Sequence, residues 1–353
     1  MQKTISRILS LLLVLTLIFT LGACKKDDKK DDKKPEKQTT KVSYINPLTG
    51  ENNLSKALRN KRPVAAMVEN SPAARPQWGL GSPDITVEAL VEGGITRMLW
   101  IYANPNKMPK IGPTRSARID FLEMAEGLDA IYIHFGGAAS AYDALYARGY
   151  DDIDGAGRGN LGGTASYFDR DSSRRGRGIE HTAYTKGEWM AKAIKDTGVR
   201  YDVKEAYAKP FEFNSKKTKL KDGDCAEITC MFSSGYKHTF KYDSEKKVYL
   251  NHMNTKPMVD ENGKQMAVSN VILLYFPSYR PIPNTKGSID MDLSGGKGVI
   301  ASNGTYQNIT WRKGGPNDML KLMDEQGNTL KLNKGKSYIG LIPSKNASAT
   351  VIK

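Results

Sequence analysis

Apolar and polar positions divide this chain into stretches of different periodicity. From Ile8 to Leu21 every position is apolar except for Ser and Thr, and from Lys25 to Lys37 apolar residues vanish while pairs of Lys and Asp alternate. Residues 42–208 mix two patterns. Positions 64–69 and 129–134 are short apolar runs of buried-strand type, whereas 119–127, 140–146 and 186–195 carry helical spacing. From residue 209 onward the helical pattern stops. Alternating runs at 226–232, 238–242, 248–253, 268–276, 289–293, 298–302, 306–312, 329–332 and 338–342 predict strands, with Asn262-Gly263 and Asn303-Gly304 as the strongest hairpin signals. The expected fold class is therefore α+β: an N-terminal mixed α/β layered domain over 42–208, then an antiparallel β-rich domain over 209–353.

The first two stretches read as a leader and a tether. Lys3 and Arg7 precede an apolar run of signal-peptide length, too short for a confident membrane span, which needs about 20 residues. Residues 1–23 end in Leu21-Gly22-Ala23, followed by Cys24, which resembles the lipobox of bacterial lipoproteins. That resemblance implies a diacylglycerol on Cys24, enough apolar surface to hold a soluble body at a membrane. Residues 24–41 then form a charged linker unable to bury a core.

Composition places the remainder. The chain has 353 residues, 39% of them hydrophobic and 26% charged, and a formal charge of +15, of which about +11 lies beyond Lys37. An exported basic protein meets no nucleic acid, so the expected partners are anionic phospholipid heads, teichoic-type polymers or peptidoglycan carboxylates. Besides Cys24 there are only Cys225 and Cys230. Their offset of five puts them on opposite faces of a continuous strand, so a bridge between them would need a turn or bulge.

The candidate chemistry sits in the first folded half. Residues 85–91 and 95–102 alternate around Gly93-Gly94. A two-residue turn there pairs Leu90 with Arg97, which sets Arg97 diagonally between Glu88 and Glu92 on one face. Gly112-Pro113-Thr114-Arg115-Ser116-Ala117-Arg118 then leads into the helix from 119, so Arg115 and Arg118 fall where cations oppose the helix dipole. Either a bound carboxylate or phosphate reverses that cost, with Arg75 and Arg97 adding to the site, or the two arginines pair with Glu69, Glu88 or Glu92 and staple helix to sheet. His134, at the end of a strand before Gly136-Gly137, stands where α/β sheets bind ligands. Residues 167–184, with Arg170, Arg174, Arg175 and Arg177 followed by Glu180-His181-Thr182, read as a basic loop able to close over an acidic ligand.

Five ordered motifs, NPLTG (46–50), RPVAAMVENSPAARPQ (62–77), DITVEALVEGGITR (84–97), IGPTRSAR (111–118) and DAIYIHFGGA (129–138), resemble the N-terminal domain of the YerB-like lipoprotein family. WRK near Trp311 and LKLNKGKSYIGLIP resemble that family's C-terminal domain. The resemblance implies a two-domain lipoprotein on the outer face of the cytoplasmic membrane in a Gram-positive-type envelope, with no assigned reaction. Where relatives tend to carry a Pro-His-Asn type of stretch, this chain has Ile179-Glu180-His181-Thr182, which keeps His181.

Searches for familiar reactive patterns fail. Gly335-Lys336-Ser337 ends like a phosphate-binding loop, but position 330 is Leu, so its leading Gly is absent. No His-Glu-x-x-His helix, paired Cys-x-x-Cys or Gly-x-Ser-x-Gly elbow occurs, and no metal site is expected. Three readings of function remain. The first is a binding protein that grips an anionic envelope component through Glu69, Arg75, Glu88, Glu92, Arg97, Arg115, Arg118, His134 and His181. The second, resting on a loose likeness of layout to LytR-CpsA-Psr phosphotransferases, is an Mg²⁺-dependent enzyme on lipid-linked wall precursors, with Asp84, Glu88 or Glu92 on the metal and Arg97, Arg115 and Arg118 on the phosphate. The third is a non-catalytic scaffold for wall or membrane enzymes.

Overall fold

A computed structural model describes residues 43–285 and 287–353. The leader, the tether and Cys24 lie outside the described residues. Twelve strands and three helices carry the account that follows. In the first half these are β1 (Val64–Glu69), β2 (Ile85–Leu90), β3 (Thr96–Tyr102), α1 (Ile119–Glu126), β4 (Ile131–His134), α2 (Ala139–Arg148), β5 (Asp152–Asp154) and α3 (Gly187–Thr197). The second half contributes β6 (Glu227–Ser233), β7 (Tyr236–Asp243), β8 (Val248–Met253), β9 (Asn270–Phe276), β10 (Gly295–Ser302), β11 (Thr305–Arg312) and β12 (Ser337–Pro343). All three expected helices form. Asn303 and Gly304 both adopt positive φ between β10 and β11, as a primed hairpin turn requires.

One eleven-stranded sheet runs through both halves, in the order β11, β10, β9, β12, β2, β3, β1, β4, β5 with short edge strands at its β11 end. The join is β12, which lies parallel to β9 on one side and parallel to β2 on the other. The second half is thus mainly antiparallel, as expected, with parallel pairing along β12 and in the short pair of Glu212–Phe213 with Lys331–Leu332.

A second sheet, built on β6, β7 and β8, covers one face of the central sheet. Phe240 meets Tyr338 of β12 at 4.7 Å between ring centres, and a side chain at Gly340 would run into the Phe232 ring. α1 covers the opposite face, with Met124 and Leu128 against Ile85, Val87 and Ile101. β2 and β3 are therefore buried on both faces, because each half of the chain supplies one of the two covering layers. Cys225 and Cys230 are buried and unbridged. Among the described residues no helix is long and apolar enough to cross a membrane.

Candidate functional site

The turn between β2 and β3 decides which side chains meet. Glu92, Gly93 and Gly94 form a short 3₁₀ turn, with both glycines at positive φ, in place of a two-residue loop. The ladder consequently pairs Leu90 with Thr96, Ala89 with Arg97 and Glu88 with Met98. A slip of one residue moves a side chain to the other face. Arg97 therefore does not lie between Glu88 and Glu92: it shares the α1 face with Ala89 and Val87, while Glu88 points to the second sheet.

On the α1 face, Arg97 is flanked by Glu69, its partner across the β1–β3 ladder. The segment before α1 is laid down as an extra piece of sheet beside these two. Glu69 N–H donates to Pro113 O (2.9 Å) and Arg115 N–H to Met67 O (3.0 Å), while Phe135 N–H donates to Arg115 O (3.0 Å) and Ala117 N–H to Gly136 O (2.8 Å). Wedged between the end of β1 and the loop after β4, Arg115 and Arg118 hold fixed positions. Arg118 is the N-cap of α1 and supplies no capping oxygen, so the first N–H groups of the helix lack the usual side-chain acceptor.

Three guanidinium groups gather here with unequal partners. Arg118 forks onto Glu92, with Nε at 3.0 Å from Oε2 and one terminal nitrogen on Oε1, and gives its remaining nitrogen to Ala117 O. Arg97, only 2% exposed, reaches Glu92 at 3.3 Å and Ser116 O at 2.9 Å, but its Nε is buried without a partner. Arg115 is 27% exposed, and its Nε lies 3.4 Å from Glu69 outside hydrogen-bond geometry. Glu69 is already engaged by His181 Nδ1 at 2.8 Å and Ser71 Oγ at 2.9 Å. Among the described residues, the Arg115 guanidinium makes no hydrogen bond.

The electrostatics follow from that crowding. Burial opposes ionisation of Glu92, but the Arg118 hydrogen bond and the charges of Arg97 and Arg118 outweigh it and hold the carboxyl at about 2. Burial, then the nearby charges of Arg118 and Arg115, pull the Arg97 guanidinium down to about 9 despite Glu92 and Glu69. Glu180 stands 3.7 Å from His181 Nε2 and is half-exposed. Arg97, Arg115 and Arg118 are matched in number by the carboxylates of Glu69, Glu92 and Glu180. Arg118 pairs internally, as one of the two expectations had it, and the cluster's capacity for an anion lies in the unused donors of Arg115.

Other expected members of the site are elsewhere. Glu88 is fully buried and accepts from Asn70 (2.9 Å), Thr96 (2.6 Å) and Tyr338 (3.0 Å), with His238 Nε2 at 3.1 Å. Arg75 lies on that same side, near the Tyr236 ring and Met253 of the second sheet. His134 is fully buried: Nε2 faces Asp152 at 2.9 Å and Nδ1 faces Gly136 O at 2.8 Å, while Asp154 accepts from Tyr142. Asp152 and Asp154 arrive on the neighbouring parallel strand β5, and no local pattern announces that pairing. The basic loop is docked, not open. Arg174 lies 3.6 Å over Trp78 and donates to Ala74 O and Pro76 O, and Lys110 pairs with Asp171 at 2.5 Å. Of that loop, His181 alone among the proposed ligand residues joins the arginine cluster. Glu69, Glu92, Arg97, Arg115, Arg118 and His181 thus converge; Arg75, Glu88 and His134 do not.

The carboxylates required by an Mg²⁺ site are dispersed. Asp84 sits at the far end of β2, accepting from Ala103 N–H at 2.8 Å, while Glu88 and Glu92 are on separate sides of the sheet. Among the described residues no group of three or more His, Cys, Asp and Glu is placed to hold a metal.

Residues 48–200 match "Protein of unknown function (DUF3048) N-terminal domain" and 228–339 match its C-terminal counterpart. The chain belongs to this family. It is 30% identical over 309 residues to "Putative lipoprotein YerB" of Bacillus subtilis (strain 168), covering 86% of this chain and 87% of that one. The crystal structure of the YerB protein from Bacillus subtilis superposes with a TM-score of 0.73 at 27% identity, over 88% of this chain and 99% of the other.

Proposed function

We propose that the chain is a lipid-anchored lipoprotein on the outer face of a Gram-positive-type cytoplasmic membrane, and that it binds a carboxylate- or phosphate-bearing envelope component at Arg115. The anchor is the diacylglycerol expected on Cys24, and the name carried by the Bacillus subtilis relative supports it. The binding half of the reading rests on one observation: a part-exposed guanidinium with no hydrogen bond, held rigidly beside a second, buried one whose Nε is also unpaired. Charge-assisted pairs to carboxylate or phosphate are among the strongest hydrogen bonds a side chain can make, so such a donor set favours an anion. The uncapped start of α1 adds to the same end of the cluster.

Two experiments separate the halves of this reading. Detergent phase partition of the wild-type chain against Cys24→Ser tests the anchor, which is overturned if both stay with the detergent. Equilibrium binding to purified teichoic-type polymer and to peptidoglycan fragments tests the site, and undiminished affinity of Arg115→Ala, with its fold verified by circular dichroism, overturns it. The separation of Asp84, Glu88 and Glu92 lends the enzyme reading no support. For the scaffold reading, the large exposed apolar side chains are scattered, with Val351 representing the β-rich half.

A further inference from the structure

A groove of about 650 Å³ lies at the end of the sheet opposite the arginine cluster, where Pro63 precedes β1 and β3 gives way to Ala103. One strand length, about 17 Å, separates it from Glu69 and Arg97. Its floor is Leu48, Leu54, Leu58 and Leu128, all buried, and its walls are the half-buried Phe211 and Phe213 from the segment that joins the two halves of the chain. Gly50, at φ +69°, lets the Phe213 ring lie directly against its backbone, since a Cβ there would stand 2.4 Å from the ring. At the lip Ile45 is 65% exposed. This size and apolar lining are those of a small-molecule site.

Every charged residue that lines the groove is basic: Arg59, Lys61, Lys209 and Lys334. Two of these are occupied, Lys61 by Asp202 at 2.6 Å and Arg59 over the Tyr44 ring at 5.4 Å. Lys209 and Lys334 are exposed and, among the described residues, form no ion pair. An apolar trough with uncommitted ammonium groups at its rim matches a ligand with a long apolar tail and an anionic head. The position of the groove names the source. Tyr44, which lines it, is 20 residues after Cys24, so the tether that leads to the membrane joins the folded body at this lip. An anionic leaflet attracts Lys and Arg held near it.

We infer that the groove seats one acyl chain of an anionic membrane phospholipid, with the phosphate held at Lys209 and Lys334. The assignment goes beyond the Arg115 site and rests on the anchored reading for the identity of the lipid. It also orients the molecule: the groove faces the membrane and Arg115 faces the wall.

The test uses the mature chain with Cys24→Ser, which keeps the tether and removes the acyl group, titrated calorimetrically with palmitoyl-lysophosphatidylglycerol below its micelle concentration. Saturable binding of one molecule per chain is expected, weakened about tenfold in Lys209→Glu, Lys334→Glu, lost in Val203→Trp, which fills the trough, and unchanged in Arg115→Ala. The two exposed lysines carry no packing, so the first variant reads binding without a risk to the fold. Four outcomes overturn the inference: no saturable binding, equal binding of palmitoyl-lysophosphatidylcholine, indifference to both groove variants, or binding abolished by the chain's own acylation at Cys24. The last would give the groove to the protein's own anchor. Failure here leaves the phase-partition result for Cys24 untouched, so the two readings fail separately.

Discussion

Arg97 stands directly across the β1–β3 ladder from Glu69, yet its charge is met by Glu92, at 3.3 Å, from the turn that leads into its own strand. Glu69 is instead taken by His181 and approached by Arg115. One carboxylate, Glu92, therefore serves two guanidinium groups, one of them fully buried, while the part-exposed Arg115 keeps its donors unused.

That dependence makes Glu92 the cluster's weak point. Glu92→Gln leaves buried Arg97 facing Arg118 without a compensating charge, and urea unfolding should show a loss of roughly 3 kcal/mol. The same carboxyl has a pH signature. Its folded value, about 2, is below its ordinary 4.5, so its contribution is present above pH 4.5 and is lost as pH falls toward 2. The difference in stability between wild type and Glu92→Gln should shrink across that window, and a constant difference would show that Glu92 does not carry the charge.

The buried pair Glu88–His238 ties β2 to the second sheet and should set a stability optimum. Burial works against both charges, but His238 and the hydrogen bonds from Thr96 and Tyr338 keep Glu88 below its ordinary 4.5, and Glu88 keeps His238 above its ordinary 6.5. A lowered carboxyl stabilises above 4.5, and a raised imidazole stabilises fully below 6.5 and less as pH rises through its folded value. The pair's contribution is complete between pH 4.5 and 6.5. Subtracting the melting profile of a Glu88→Gln, His238→Gln double variant from that of wild type should give a maximum in that interval, and a flat difference would contradict the pairing.

Asp120, in the first turn of α1, behaves in the opposite sense. Burial, aided by Asp290 and Glu123, lifts its carboxyl to about 8, although it accepts from Met291 N–H at 2.7 Å. A raised carboxyl stabilises most below its unfolded value of 3.8 and progressively less up to about 8, because folding must take up a proton. Asp120→Asn keeps the acceptor oxygen without the proton. It should raise stability at pH 8 by roughly 1–3 kcal/mol and do little at pH 4. A destabilised variant at pH 8 would mean that the carboxylate is ionised in the native state.

How much of this the sequence carried depended on how local the cause was. The helices over 119–127, 140–146 and 186–195 and strand β1 were legible because spacing alone marks a buried face, and Asn303-Gly304 because its backbone demands a primed turn. The register of β2 and β3 was not, since Gly93-Gly94 permits both a two-residue and a longer turn, and that choice moves Arg97 to the other face. His134 looked like a ligand residue from its place at a strand end. What satisfies it, Asp152, comes from a parallel neighbour 18 residues on. Least legible was the joining of the halves through β12, whose pairing with β2 brings Tyr338 to Glu88 across 250 residues.

The central claim is that Arg115 is a free donor for an anion from the envelope, and titration of phosphate-bearing wall polymer against wild type and Arg115→Ala tests it most directly. Because the Arg115 guanidinium makes no hydrogen bond among the described residues, the variant should unfold within about 1 kcal/mol of wild type while its affinity falls about tenfold or more, more steeply at low salt. Equal affinity in the two proteins, with both folded, would contradict the account.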